Sequence, residues 1–312
     1  MKVLVVGATG VVGRPLLARL AEAGHEVVAT ARHVPRAVPE GVQLRRLDLL
    51  DAAATAALVA DHQPDAIIHQ ATALSGLGNN VRRFDRAFAV TNRLRTAGTR
   101  TLITAAHALP RPPQLVAQSF CGWPWAPEGG SVKTEQDRLD PDPAPAFRRT
   151  FAAIVELERL VTSYPNGVVL RYGALYGPGT SLGARGAQVE AIRRRRFPLV
   201  GDAGAVWSFL HVEDAADAAV AALARGHGVY NVVDDDPVRV GEWLPEVARM
   251  LGAPEPRRLP VWLARAVGGT GLVHMMTTAR GSDNTRAKAE LGWRPAHPDW
   301  RGGFAAELRA AR

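Results

Sequence analysis

Lysine is almost missing from this 312-residue chain: of its 38 basic residues only Lys2, Lys133 and Lys288 are lysines, and the rest are arginine. An amine that forms a Schiff base, or that acidifies a neighbouring phenol, therefore has few places to come from. Cysteine is scarcer still. The single Cys121 excludes an intramolecular disulfide and any cysteine-based metal cluster, which suits a reducing cytoplasm, and no metal site is expected. Long apolar runs are lacking too. The N-terminal run Val3-Leu4-Val5-Val6 breaks at Gly7, so it reads neither as a signal peptide nor as a membrane span.

What is present is 47% hydrophobic residues, enough to bury a large core, and a formal net charge of +8. A basic surplus can mark a nucleic-acid partner, and Arg193-Arg194-Arg195-Arg196 is the natural suspect. That run closes an expected helix, Ala184 to Arg196, where cations complement the helix dipole, and no aromatic or Gly-rich RNA-binding pattern accompanies it. A solvated face or an anion-binding rim is the expected reading. The partner expected is a small molecule, with neither nucleic acid nor membrane.

The strongest signal lies at the N-terminus, where the apolar run feeds directly into Gly7-Ala8-Thr9-Gly10-Val11-Val12-Gly13. A buried strand that ends on glycines and opens a helix is the machinery that seats a dinucleotide pyrophosphate. Gly7 permits the tight turn, Gly10 lets the backbone approach the phosphates, and Gly13 lets helix and strand pack closely. The free amides at the start of the helix face the anion. The context agrees: a helix over Val11 to Ala23, Gly24 as its stop, and a second strand from Glu26 to Ala31.

The end of that second strand bears on the choice of cofactor. An acidic residue here would bind the ribose 2′-hydroxyl of NAD, whereas an arginine accommodates a 2′-phosphate. The chain reads Thr30-Ala31-Arg32-His33, with Arg36 close behind and no carboxylate before Glu40. NADP(H) is therefore expected, with Arg32 as the main phosphate partner and Arg36 as a second. The alternative for Arg32 is a solvated loop residue in an arginine-rich chain.

Further along, Val42 to Arg46, Asp65 to His69, Gln114 to Gln118 and Gly167 to Arg171 read as strands. Ala52 to Asp61, Phe84 to His107 and Ala146 to Ser163 read as helices between them. This alternation predicts an α/β fold, a Rossmann-type doubly wound parallel sheet. Residues 1–171 would form the dinucleotide-binding domain, with 212–233, including a strand over Val229 to Val233, returning to it. Residues 172–211 and 234–312 would form a smaller C-terminal substrate lobe.

The order and spacing of several segments resemble the extended short-chain dehydrogenase/reductases of the NAD-dependent epimerase/dehydratase family. They are Gly7 to Gly13, Asp48-Leu49, Ile68-His69-Gln70-Ala71-Thr72, Gly98-Thr99 through Ala106, Leu170-Arg171 through Tyr176-Gly177-Pro178-Gly179, His211 to Ala215, and Leu291-Gly292-Trp293-Arg294-Pro295. The resemblance implies a cofactor lined by Gly7, Thr9, Gly10, Val11, Val12 and Gly13, with Asp48 and Leu49 flanking the adenine and Gln70, Ala71 and Thr72 running toward the nicotinamide. It also implies a homodimer through the helices Phe84 to His107 and Ala146 to Ser163.

The departures from that family pattern are as informative. Members carry Tyr-x-x-x-Lys on the helix before the Leu170-Arg171 strand, and counting back from Glu158 puts Thr150 and Ile154 at those positions. None of the three lysines has a tyrosine four residues before it, so the usual acid/base pair is absent from the sequence. Arg95 stands three residues before Gly98, where asparagine is common. Ser119 falls where a Ser or Thr polarises the substrate carbonyl, or else it is a loop serine bonded to local backbone. Tyr172 and His211 are the substitute candidates for moving a proton. Trp123, Trp125, Tyr176 and Trp207 would line an apolar substrate pocket, or else belong to the core or a subunit contact. The tail arginines Arg280 and Arg286 are candidates for an anionic substrate group.

The expectation from all of this is an NADP(H)-dependent oxidoreductase that transfers hydride to a carbonyl, imine or activated double bond of a small molecule, with a non-standard proton donor. A redox-neutral isomerase, cyclase or lyase on the same fold, and a non-catalytic NADP-binding sensor, are the alternatives.

Overall fold

The structure is a computed structural model and describes residues 1–33, 38–74, 84–122 and 124–310. Its centre is a sheet of seven parallel strands: β1 (Lys2–Val6), β2 (Glu26–Ala31), β3 (Val42–Arg46), β4 (Ala66–His69), β5 (Gln114–Phe120), β6 (Gly167–Tyr172) and β7 (Gly228–Val232). The spatial order is β7-β6-β5-β4-β1-β2-β3. β1 pairs on one side with β2, Val5 opposite Ala29, and on the other with β4, Val5 opposite Ile68. The chain runs outward from β1 through β2 and β3 and then crosses back to β4. The strand order therefore reverses beside β1, and a crevice opens beyond the carboxyl ends of β1 and β4.

Burial on both faces explains why the inner strands read as unbroken apolar runs rather than as alternating ones. Val3 and Val5 meet α1 (Gly13–Glu22) through Leu16, Leu17 and Leu20, and the same face packs against the alanine-rich α5 (Val212–Arg225). Leu4 and Val6 point the other way. There they join Val59 of α2 (Ala52–His62), Leu102 of α3 (Thr99–His107), and Leu157 and Val161 of α4 (Arg148–Thr162).

The segment expected as one helix from Phe84 to His107 is divided. Short helices at Phe84–Ala87 and Ala89–Arg93 lead into a π-turn, Leu94–Gly98, before α3 begins. The wide turn has local causes. The Leu94 carbonyl is drawn to His69 Nε2 at 3.3 Å, and Gly98 packs so closely on Leu49 that a Cβ there would lie 2.8 Å from Leu49 Cδ2. α4 likewise starts later than expected, after a 3-10 turn at Pro145–Phe147. Asp85 reaches across to accept the amides of Arg149 and Thr150 at 3.0 and 2.8 Å and so caps α4 from another element.

The polypeptide beyond β6 gathers around a separate buried cluster. Phe147, Phe151 and Ile154 of the α4 region meet Phe209, Trp243, Leu244, Met276, Trp300 and Phe304 there. The basic helix is shorter than expected, Ala187–Arg193, because Arg195 adopts a left-handed φ of 56°. No helix among the described residues is long and apolar enough to cross a membrane.

Candidate functional site

β1 delivers Val6 to the sheet edge, and the turn that follows is built by close backbone approach. Gly7 has φ +91°, and a Cβ on it would lie 2.5 Å from the amide nitrogen of Ala71. A Cβ on Gly13 would lie 2.4 Å from the Gly7 carbonyl oxygen, so that position sets the packing of helix on strand and does not face the cleft. α1 starts without a side-chain cap, its Arg14 amide donating to the Gly10 carbonyl at 3.1 Å, and the positive end of its dipole lies at the glycine turn. Such an arrangement suits an anion such as a pyrophosphate.

The crevice is a cleft of about 740 Å³. At one end it is lined by Arg14, Arg32, His33, Asp48 and Leu49, in the middle by Thr9, Gly10, Val11, Val12, Gln70, Ala71 and Thr72. Arg32 is exposed and forms no ion pair among the described residues. Arg36 lies outside the described residues, as does Trp123. Gln70 is held by its amide, which donates to the Tyr172 hydroxyl at 3.1 Å. Ala71 donates its amide to His69 Nδ1 at 3.3 Å, and this leaves Nε2–H to bond the Leu94 carbonyl. Full burial lowers the His69 pKa to about 4, so the ring stays neutral at that junction.

The other end of the cleft departs from the sequence expectations at several positions. Side chains alternate along β5, so Gln118 and Phe120 turn to the cleft while Ser119 shares the opposite face with Leu115 and Ala117. Ser119 is 1% exposed and donates to Glu158 Oε1 at 2.6 Å. Glu158 also accepts from Arg171 Nε at 2.9 Å and Nη2 at 2.6 Å, which makes a buried three-residue network and not a substrate contact. Thr150 donates to Asp85 at 2.7 Å and accepts from Asn92 at 3.1 Å, and Ile154 is core.

Tyr172 does line the cleft, but its hydroxyl already donates to the Ala215 carbonyl at 3.2 Å, and burial pushes the phenol well above its usual range. His211 does not reach the cleft. It caps α5, accepting from the Glu213 amide at 3.4 Å, and its ring lies 3.8 Å from that of His297; burial, together with His297, lowers its pKa to about 4. Tyr176 is fully buried, stacked on Phe304 at 4.7 Å. Trp125 is core as well: its indole donates to Ser282 at 3.0 Å, and the Arg171 guanidinium sits 4.9 Å above its ring. Trp207 lines the cleft, its indole N–H fixed on the Met275 carbonyl at 2.9 Å. Cys121 is buried filler whose thiol burial pushes up to about 12. Arg280 bonds the Pro127 carbonyl and Arg286 pairs with Glu290, both away from the cleft.

Sequence reading did not pick out Arg14, Phe84, Phe88, Leu182 and Met275 as cleft residues. It noted Arg95 only as a departure from asparagine, yet this residue too lines the cleft. The available signal was an arginine amid the apolar face Leu94, Gly98 and Leu102, where no solvated arginine belongs.

A glycine turn against an uncapped helix, at the point where a doubly wound parallel sheet reverses order, defines a dinucleotide-binding Rossmann protein. The family model for the NAD dependent epimerase/dehydratase family matches residues 3–232, and the chain belongs to that family. A 3-diazoavenalumate denitrifying reductase of a Streptomyces species is 45% identical over 310 residues, which cover 98% of this chain and 100% of the relative. Among solved structures, a UDP-glucose 4-epimerase of Thermotoga maritima superposes with a TM-score of 0.78 at 20% identity, covering 100% of this chain and 99% of that one. A Thermus thermophilus UDP-glucose 4-epimerase in complex with NAD superposes at 0.74 with 26% identity, covering 99% and 98%.

Proposed function

We propose that the protein is an NADP(H)-dependent reductase that removes nitrogen from a diazo-bearing aromatic acid, replacing a C–N bond by a C–H bond. The Streptomyces relative is named a 3-diazoavenalumate denitrifying reductase, and the likeness extends over the length of both chains. The observation that carries the reading is that, among the described residues, the substrate end presents no carboxyl, imidazole or phenol with an uncommitted proton. Among the described residues there, Tyr172 is the one phenol, and its proton is committed to the Ala215 carbonyl. Ser119 is turned into the Glu158 network, and Thr150 and Ile154 hold structural positions.

Reduction of a carbonyl needs a proton as well as a hydride; reduction of a diazonium carbon does not. A bound reduced nicotinamide supplies the hydride. The carbon gains hydrogen with that electron pair, the C–N pair departs with neutral N2, and no proton enters or leaves. Charge balances, since one positive charge is lost from the substrate and one appears on the oxidised cofactor. The protein's part is then to bind, orient and keep water from the reacting carbon. The cofactor would be held by the Gly7 turn and α1 at the pyrophosphate, by Asp48 and Leu49 beside the adenine and by Arg32 at the 2′-phosphate, and the substrate would meet Phe84, Phe88, Phe120, Leu182 and Trp207, all of which line the cleft except the α1 backbone.

Anaerobic incubation with NADPH and an aromatic diazonium carboxylate tests this. One N2 per NADPH consumed is expected, at a rate well above that without protein. NADPH consumption with a carbonyl panel and no gas from the diazonium acid would refute it.

A further inference from the structure

Arg95 is 4% exposed, yet its Nη1 has no hydrogen-bond partner and its side chain lines the cleft. It is held there by the π-turn Leu94–Gly98, a device that often marks functional positions in helices. Burying a guanidinium without an anion is costly, and arginines this deep are normally paired. The acid whose charge acts on it is Glu158, but both Glu158 oxygens are already engaged by Arg171 and Ser119. Glu158 is thus shared between Arg171 and Ser119, and no carboxylate hydrogen-bonds the Arg95 Nη1. Burial draws the Arg95 pKa down to about 10, which keeps it charged at neutral pH.

The other charged cleft residues, Arg14, Arg32, His33 and Asp48, belong to the glycine-turn and adenosine end. Among the described residues, Arg95 is therefore the one charged lining residue outside that end, in a cleft whose remaining walls include Phe84, Phe88, Phe120, Leu182, Trp207 and Met275. Apolar walls with one buried fork of donors fit a flat apolar molecule carrying one anionic oxygen group. We infer that Arg95 is the substrate-anion anchor of this cleft: its guanidinium binds a carboxylate or phenolate oxygen of an aromatic substrate and so fixes which carbon faces the cofactor. The inference rests on the reading that an aromatic acid is reduced in this cleft, and it names the residue that selects it.

The test is calorimetric and needs no turnover. Wild-type protein saturated with NADP+ is titrated with cinnamate and with cinnamamide, which match in size and differ in charge. Cinnamate is expected to bind about tenfold to a hundredfold more tightly, the worth of a charge-assisted hydrogen bond. In Arg95→Met the preference should fall to about one, with NADP+ affinity changed less than about twofold, and Arg95→Lys should keep part of the preference. Arg95→Gln serves as a second uncharged variant should Met not fold. A wild type that does not discriminate overturns the inference. So does a preference that survives in the uncharged variants, or a loss confined to NADP+ affinity, which would assign Arg95 to the cofactor ribose. N2 release does not enter the measurement, so a protein that releases none but prefers cinnamate through Arg95 refutes only the reaction proposed above.

Discussion

Replacing Ser119 with alanine separates two roles that the sequence allowed and the structure distinguishes. A hydroxyl that polarises a substrate oxygen would cost roughly 10²-fold or more in rate when removed. In the structure the hydroxyl is 2.6 Å from Glu158 Oε1, in a region where Ser119 and Glu158 are 1% and 7% exposed. Removing it leaves Oε1 still bonded to Arg171 Nε at 2.9 Å, so the carboxylate is weakened but not orphaned. The loss is that of one charge-assisted hydrogen bond, about 1.5–3 kcal/mol. Glu158→Ala is the contrasting case, because it strips the anion from a buried Arg171 and should cost about 3–5 kcal/mol. Urea denaturation followed by tryptophan fluorescence reads both. Ser119→Ala should lower the midpoint while NADPH affinity and turnover stay within about twofold of wild type. A 10²-fold fall in turnover at unchanged stability would show that Ser119 meets the substrate and that its place in the network is wrong.

Gly7→Ala puts a Cβ 2.5 Å from a backbone nitrogen at φ +91°, so the variant should lose about 1–3 kcal/mol of stability from strain and bind NADPH at least tenfold more weakly, as fluorescence titration will read. Arg32→Ala should weaken NADPH by about tenfold or more and leave NADH nearly unchanged; equal losses for both would remove the 2′-phosphate assignment. Stability should also respond to pH with a definite sign. His69 and His211 are held near pKa 4 by burial, below the unfolded value of about 6.5, so the unfolded chain binds more protons between these limits and stability falls on acidification by about 1.4 kcal/mol per pH unit per histidine. Asp234, raised by burial to about 9, acts oppositely: its contribution is full at low pH and is lost as pH rises from about 4 to 9. A stability maximum near pH 6.5 is therefore expected, and Asp234→Asn should flatten the alkaline side. A profile that keeps rising to pH 9 contradicts the Asp234 assignment, and one with no loss of stability between pH 6.5 and 4 contradicts the histidine assignments.

The framework that seats the dinucleotide was legible because it is written in local chemistry. Glycines at a strand end, four apolar residues buried on both faces, and the spacing to the second strand all act within the first βαβ unit. The substrate end was not, because there the outcome turns on which face a residue presents. One position along β5 separates Ser119, facing α4, from Phe120, facing the cleft. Tyr176 and Trp125 read as pocket aromatics, but their partners Phe304 and Ser282 lie more than a hundred residues away in sequence. His211 looked like a proton carrier, whereas its Nδ1 serves the start of α5. The break in the helix at Leu94–Gly98 left no periodicity signal, since a π-turn shifts the apolar pattern by a single residue.

The most direct measurement is isotope tracing through the reaction. The diazonium carboxylate is turned over once with NADPH dideuterated at C4 in ordinary water, and once with unlabelled NADPH in D2O. Deuterium at the former diazo carbon in the first experiment and none in the second is the expected result, since hydride transfer alone completes the product. Label entering that carbon from D2O would contradict it and require a proton donor in the cleft.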